Sequence, residues 1–150
     1  MKIVIQRVSE AAVVISGETV AKIRCGLLVL VGIVNADSDE DINWLVSKTI
    51  NLRIFADSDG VMNLSVKDIS GEVIVVSQFT LHALTKKGNR PSYIEAAKPE
   101  VAVPLYEKFV ATLQQEFGKT IQTGKFGADM QVSLTNDGPV TIVVDSKNKA

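Results

Sequence analysis

The chain has 150 residues, with 16 Lys and Arg against 17 Asp and Glu, a net charge of −1 and 46% hydrophobic residues. That length fits one domain with a core of its own, because area scaling leaves roughly 7,500 Å² exposed out of about 23,500 Å² in the open chain. The composition excludes a disordered chain. The charge excludes a strongly basic body that grips long stretches of nucleic acid, but permits contact with a short piece of RNA.

A lone cysteine, Cys25, excludes an internal disulfide and a thiolate metal cage, and reads as a small, partly buried apolar residue. The longest apolar run, Gly26–Val34, has the length of a strand and is too short to span a membrane. The start, Met1–Arg7, lacks the apolar core and cleavage site of a signal peptide. The expectation is a soluble cytoplasmic protein with no membrane partner.

In chain order, Ile3, Ile5 and Val8 alternate with Val4, Gln6 and Arg7 in a first strand bounded by Ser9-Glu10. Val13–Ile15 and Thr19–Ile23 flank Ser16-Gly17-Glu18, a tight hairpin turn. The run Leu27–Val34 has no alternation, which predicts a strand covered on both faces. Ser38 then caps a helix whose first turn carries Asp39, Glu40 and Asp41, and Ile42, Leu45, Val46, Thr49 and Ile50 form its buried stripe. Asp57–Gly60 is a turn, Met62–Val66 a short strand, and Glu72–Val76 a β-branched strand. Thr85–Pro99 is a long loop of the kind that often carries function. A second helix covers about Pro99 to Phe117 and stops at Gly118. Pro104 lies inside it, so either the helix starts later than Pro99 or its first turn is distorted. Ile121–Thr123, Met130–Leu134 and Val140–Val144 are the last strands, and Ser146–Ala150 a frayed polar tail. The order predicts a single α/β domain, residues 1–150, with helices packed on a mixed sheet.

Few residues carry obvious chemistry. His82 is the one histidine, and nothing in the sequence sets it against a nucleophile, so it reads as a solvated loop residue. Asp37, Asp39, Glu40 and Asp41 are explained by the helix start, and no metal site or cofactor motif is expected. Two segments remain. Ser77-Gln78-Phe79-Thr80 closes a buried strand. It is either a polar strand end or a set of side chains and N–H groups aimed at a ligand oxygen, as in acyl transfer. Asn136–Thr141 contains Gly138-Pro139. It is either a plain turn between two strands or a cis corner with fixed carbonyls that can hold an ammonium group.

These segments, with Ile5-Gln6-Arg7-Val8, Gly26–Gly32, Arg53-Ile54-Phe55, Met62-Asn63-Leu64, Gly88–Ser92, Thr123–Phe126 and Ala128–Val132, resemble the D-aminoacyl-tRNA deacylases over nearly the whole chain. The resemblance implies three layers, α/β/β, with two main helices on mixed, mostly antiparallel sheets. It implies a homodimer with active sites at the interface, working without cofactor or metal on the 3′ acceptor end of tRNA and not on DNA. The reaction it implies is hydrolysis of D-aminoacyl-tRNA and glycyl-tRNA, with the L-ester spared. Ser77, Gln78, Phe79 and Thr80 would form the catalytic strand end. Gly138 and Pro139 would enter the partner's pocket, held by Arg7, and Phe126 and Met130 would seat the terminal adenosine. Such enzymes usually carry Phe where this chain has Tyr93. Lys86, Lys87 and Arg90 either meet tRNA phosphates or form a solvated loop. The rival functions are a non-catalytic dimeric module and a broad esterase.

Overall fold

Strand β1 (Lys2–Ile15) is the axis of the molecule, paired along both edges. The computed structural model describes residues 1–150. On one edge β1 pairs first with β3 (Gly26–Gly32) and then with β2 (Glu18–Ile23); on the other it pairs with β8 (Gln131–Asp145). The remaining elements are α1 (Asp39–Asn51), the small hairpin β4 (Phe55–Ala56) and β5 (Met62–Leu64), β6 (Glu72–Ser77), a 3-10 turn (Phe79–His82), α2 (Pro99–Phe117) and β7 (Gln122–Thr123). The β3–β6 and β6–β7 pairs are parallel and the others antiparallel.

Alternate residues of β3 and β6 feed two separate cores. Leu27, Val29, Val31, Val73 and Val75 pack with Ile3 and Ile5 under the helices, against Ile42, Leu45 and Val46 of α1 and Phe109 and Leu113 of α2. Leu28, Ile74 and Val76 point the other way, into Val8, Ala11, Val13, Ala21 and Ile23, where β1 and β2 curl over the sheet. Helices, central strands and curled strands are therefore three layers, α/β/β. The missing alternation of β3 is explained by this double burial. Tyr106 fixes α2 to the sheet by donating its hydroxyl to the Val75 carbonyl at 3.0 Å, and burial pushes its phenol up to about 12.

Several local expectations change. β1 does not stop at Ser9-Glu10; it runs on to Ile15, with pairing to β8 that slips on either side of Val8. The last strand is likewise continuous, so Asn136–Thr141 is a bulge within β8 rather than a turn between strands. α2 begins at Pro99 and carries Pro104 inside it, the starting turn being closed by bonds from Val101 and Ala102 to the Lys98 carbonyl. Cys25 is exposed, not partly buried. The tail is anchored: Ser146 is buried and bonded to Met1, and Lys147 reaches Asp41 at 2.8 Å.

The acidic stretch at the start of α1 is spent on such links. Asp37 pairs with the Met1 amino group, Asp39 with Lys108, and Asp41 accepts from the Ser38 N–H at 2.8 Å. Burial disfavours the Asp41 charge, but hydrogen bonds from Lys147, Ser146 and Ser38 outweigh it and hold the carboxyl far below the usual carboxylate range. A group with a lowered folded pKa stabilises above its unfolded pKa and loses that effect as pH falls. Asp41→Asn is therefore expected to cost about 1–2 kcal/mol at neutral pH. In denaturant titrations the gap to the parent should close as pH drops below about 4; a gap independent of pH would contradict this origin.

Candidate active site

Val31 of β3 and Ser77 of β6 lie side by side at the end of the parallel pair, and the chain leaves the sheet there. Gln78 makes a last bond from its N–H to the Val31 carbonyl, 2.7 Å, and the backbone then tightens into the 3-10 turn Phe79–His82. A helical turn cannot satisfy its own first N–H groups, so those of Phe79 and Thr80 have no acceptor within it. Gln78 donates its side-chain amide to the Thr80 hydroxyl at 2.5 Å, which ties the start of the turn together.

This turn can sit so low only because Gly32 has no side chain. A Cβ there would lie 3.0 Å from the Gln78 carbonyl oxygen, the His82 ring and the Leu81 Cβ alike. His82 is thus not the solvated loop residue expected. It is half-buried against Gly32, and its Nε2 is enclosed without a hydrogen-bond partner.

An apolar cleft of about 260 Å³ opens beside the turn, at the seam between the two cores. Ser77, Gln78 and Phe79 form one wall; Phe126, Gly127, Ala128 and Met130 form the other. Phe126 leans on the ring of Tyr106, 5.8 Å between centroids, and Met130 packs on the second core. Gly124 makes room for Met130, whose sulfur occupies the place of a Cβ, 2.3 Å from it. Ala97, just before α2, and Ala102, in its first turns, were not singled out from sequence; their small size keeps the cleft open. Phe79 is 54% exposed and meets Tyr93 edge-on at 5.0 Å, a contact that gives the Tyr93 position a role at the site's rim.

Arg7, Gly138 and Pro139 lie elsewhere: none of them lines this cleft. Gln6 pairs with Thr141 and Val8 with Asn136, so the single residue Arg7 faces the whole run from Asp137 to Val140, which loops out of β8. Arg7 donates Nε to the Asp137 carbonyl at 2.8 Å and Nη1 to the Ile54 carbonyl at 2.6 Å. The feet of the loop are tied as well. Asn136 accepts from the Val140 N–H at 2.8 Å and donates to Gln6, and Thr141 donates to Gln6 at 2.5 Å. Gln6 is a holding residue that the sequence reading passed over. The Gly138–Pro139 bond is cis, and Gly138 has φ +139°. A side chain there would be strained, and its Cβ would meet Arg7 Nη2 and Val140 Cγ2 at 2.9 Å. Lys86, Lys87 and Arg90 project from an exposed loop pinched at its base by the Leu84–Ser92 bridge.

The family model described as D-Tyr-tRNA(Tyr) deacylase matches residues 4–145. The chain belongs to this family. Relatives named D-aminoacyl-tRNA deacylase from Flavobacterium psychrophilum and Bacteroides thetaiotaomicron are 71% and 61% identical, each match covering 99% of both chains. A solved structure named c-Myc DNA Unwinding Element Binding Protein superposes with a TM-score of 0.93 at 42% identity, over 97% of this chain and 99% of that one. A probable eukaryotic D-amino acid tRNA deacylase gives 0.80 at 16% identity, over 95% and 97%, and supports the α/β/β fold alone. The deacylase-family resemblance drawn from the motifs is thus established across the chain.

Gly32→Ala should lift the turn off β3. It is expected to cost about 1–3 kcal/mol in denaturant unfolding and to shift the amide resonances of Phe79–Leu81 in NMR spectra. Unmoved resonances at those positions would show that the turn does not rest on Gly32.

Proposed function

We propose that this chain hydrolyses the ester joining a D-amino acid, or glycine, to the 3′-terminal adenosine of tRNA and spares the L-ester. The reading is carried by one observation: the cleft with its free N–H groups and the rigid Gly138-Pro139 corner are separate within a single chain. A second copy is what would bring them together. The accessible surface supports a dimer, since 8564 Å² exceeds by about 1,000 Å² the roughly 7,500 Å² expected of a monomer this size. Large apolar side chains also stand exposed, Phe79 at 54% and Ile94 at 82% among them.

In this reading Phe126 and Met130 seat the adenine, and the N–H groups of Phe79 and Thr80 face the ester carbonyl. Water adds to the carbonyl carbon and negative charge gathers on that oxygen, where a well-placed donor contributes about 3–4 kcal/mol. The bond to the ribose 3′-oxygen then breaks, that oxygen takes the proton, and free amino acid and tRNA leave. The ribose 2′-hydroxyl helps activate the water. Thr80 orients rather than attacks. Its hydroxyl already accepts the Gln78 amide, and the enclosed His82 Nε2 has no bond to it.

Chirality follows from two fixed points. Carbonyls of the corner from the partner subunit hold the ammonium group, and the N–H donors hold the ester. The D side chain then points outward and the L side chain points into the corner. Rejection by a rigid wall admits many D side chains. A tRNA substrate implies work in the cytoplasm. No helix is long and apolar enough to cross a membrane. The charge of −1 favours contact with a short RNA end over a grip on long DNA.

The test is release of amino acid from D-Tyr-tRNA and L-Tyr-tRNA without added metal. Hydrolysis of D alone is expected; equal hydrolysis of both would make the protein a broad esterase, and hydrolysis of neither a dimeric module. Arg7→Ala frees the corner, so the ratio of L-Tyr-tRNA to D-Tyr-tRNA hydrolysis should rise about tenfold or more, a factor of ten being about 1.4 kcal/mol, and the D rate should itself fall, because the same carbonyls hold its ammonium group. Thr80→Ala should slow turnover and leave no acyl-enzyme in the parent to trap. A trapped adduct on Thr80 would instead establish covalent catalysis.

A further inference from the structure

The outward side of α1 carries an unusual arrangement of charge. Trp44 is half-buried, and the ammonium groups of Lys48 and Lys149 lie 5.5 and 4.8 Å from its ring centroid. Two cations converging on one ring repel each other, and cation–π attraction at an exposed ring contributes only about 0.5–1 kcal/mol to each. Neither lysine has a carboxylate within ion-pair distance, and neither does Arg53, one turn further along the chain. A groove of about 490 Å³ runs past Lys2, Trp44, Lys48 and Val143, and a second of about 380 Å³ continues it past Lys48 to Arg53. The one side-chain carboxylate on their walls is Asp145, which stands 3.8 Å from Lys2.

Both ends of this path touch the machinery described above. Lys2 also reaches the Leu81 carbonyl, 3.5 Å away, in the 3-10 turn of the site. Arg53 precedes Ile54, whose carbonyl is held by Arg7 beside the corner. A polyanion lying here would begin at the catalytic turn and supply the counter-charge that Lys48 and Lys149 lack and that Arg53 finds only at longer range, in Asp68.

We propose that the groove lined by Trp44, Lys48 and Arg53, with Lys149 beside it over the Trp44 ring, binds the sugar–phosphate backbone of the tRNA acceptor stem. The proposal rests on the deacylase reading, which supplies the RNA. The aromatic ring serves as the platform that gathers the two lysines, and the phosphates supply the counter-charge. Contact with so few cations makes binding only modestly sensitive to salt.

The experiment uses the full-length protein with Lys48→Gln/Lys149→Gln, with Arg53→Gln, and with Lys22→Gln on edge strand β2, outside the groove, as control. The affinity for uncharged tRNA is measured from about 50 to 200 mM salt. Each removed contact is expected to flatten the slope of log affinity against log salt by about 0.7–0.9. In parallel, kcat/KM is measured on D-Tyr-tRNA and on D-tyrosyl-adenosine, which has no stem. The double variant should lose roughly tenfold on the tRNA substrate and nothing on the small ester. A slope equal to that of the parent, an equal effect of Lys22→Gln, or an equal loss on D-tyrosyl-adenosine would overturn the proposal. If the parent cleaves neither ester, the deacylase reading fails, and the salt slope still decides whether the groove binds RNA.

Discussion

The Arg7 guanidinium is the interaction on which the arrangement turns. It is 13% exposed and bonded to two backbone carbonyls, one on the looped-out part of β8 and one between α1 and β4. Bonds from a charged donor are worth about 1.5–3 kcal/mol each. The cost of taking a guanidinium out of water is met by carbonyls that would otherwise lack partners. Remove those bonds and the run Asp137–Val140 has only its tied feet, Gln6 with Asn136 and Thr141, to define it. In the proposed function the loop excludes one enantiomer by sterics, and such a gate has to be stiff, so there the stiffness of this loop serves function as much as folding.

The cleft owes its place to a second constraint, the double burial of β3 and β6. Strands with both faces covered cannot shift in register without driving apolar side chains into the wrong core. Their ends are therefore well fixed, and the chain leaving β6 starts from a known point. Gly32 lets the following turn descend onto β3, so the N–H groups of Phe79 and Thr80 are set by the sheet and not by a mobile loop. Small residues at the head of α2 leave the opening into which Phe126 and Met130 project.

Much of this was legible in the amino-acid order. The unbroken apolar run of β3 announced burial on both faces, and the stripe of α1 and the stop at Gly118 gave the helices. What escaped was the continuity of β1 and β8. Ser9-Glu10 and Asn136–Thr141 have the composition of turns, yet each lies at one of two neighbouring slips in the β1–β8 pairing, on either side of the Val8–Asn136 pair, where a strand absorbs extra residues as a bulge. Composition records the local preference; the partner strand decides whether it becomes a turn. The tail was misjudged for a similar reason. Ser146 and Lys147 are polar, and their partners, Met1 and Asp41, lie more than 100 residues away in sequence. His82 was misread because its burial comes from a glycine on another strand. The assignment of Ser77–Thr80 and Gly138-Pro139 to a site came through resemblance, whereas spacing alone reached only a polar strand end and a proline-bearing bend.

The claim that a corner from one subunit governs the pocket of the other is tested most directly in mixed dimers. One chain would carry Gln78→Ala/Thr80→Ala, which disables its pocket, and the other Arg7→Ala, which loosens its corner. If corners act across the interface, the one working pocket in each mixed dimer meets an intact corner. Purified heterodimers should then hydrolyse D-Tyr-tRNA and leave L-Tyr-tRNA untouched. Heterodimers that cleave the L-ester as fast as Arg7→Ala homodimers would contradict the account, because the loosened corner would then be acting on its own chain.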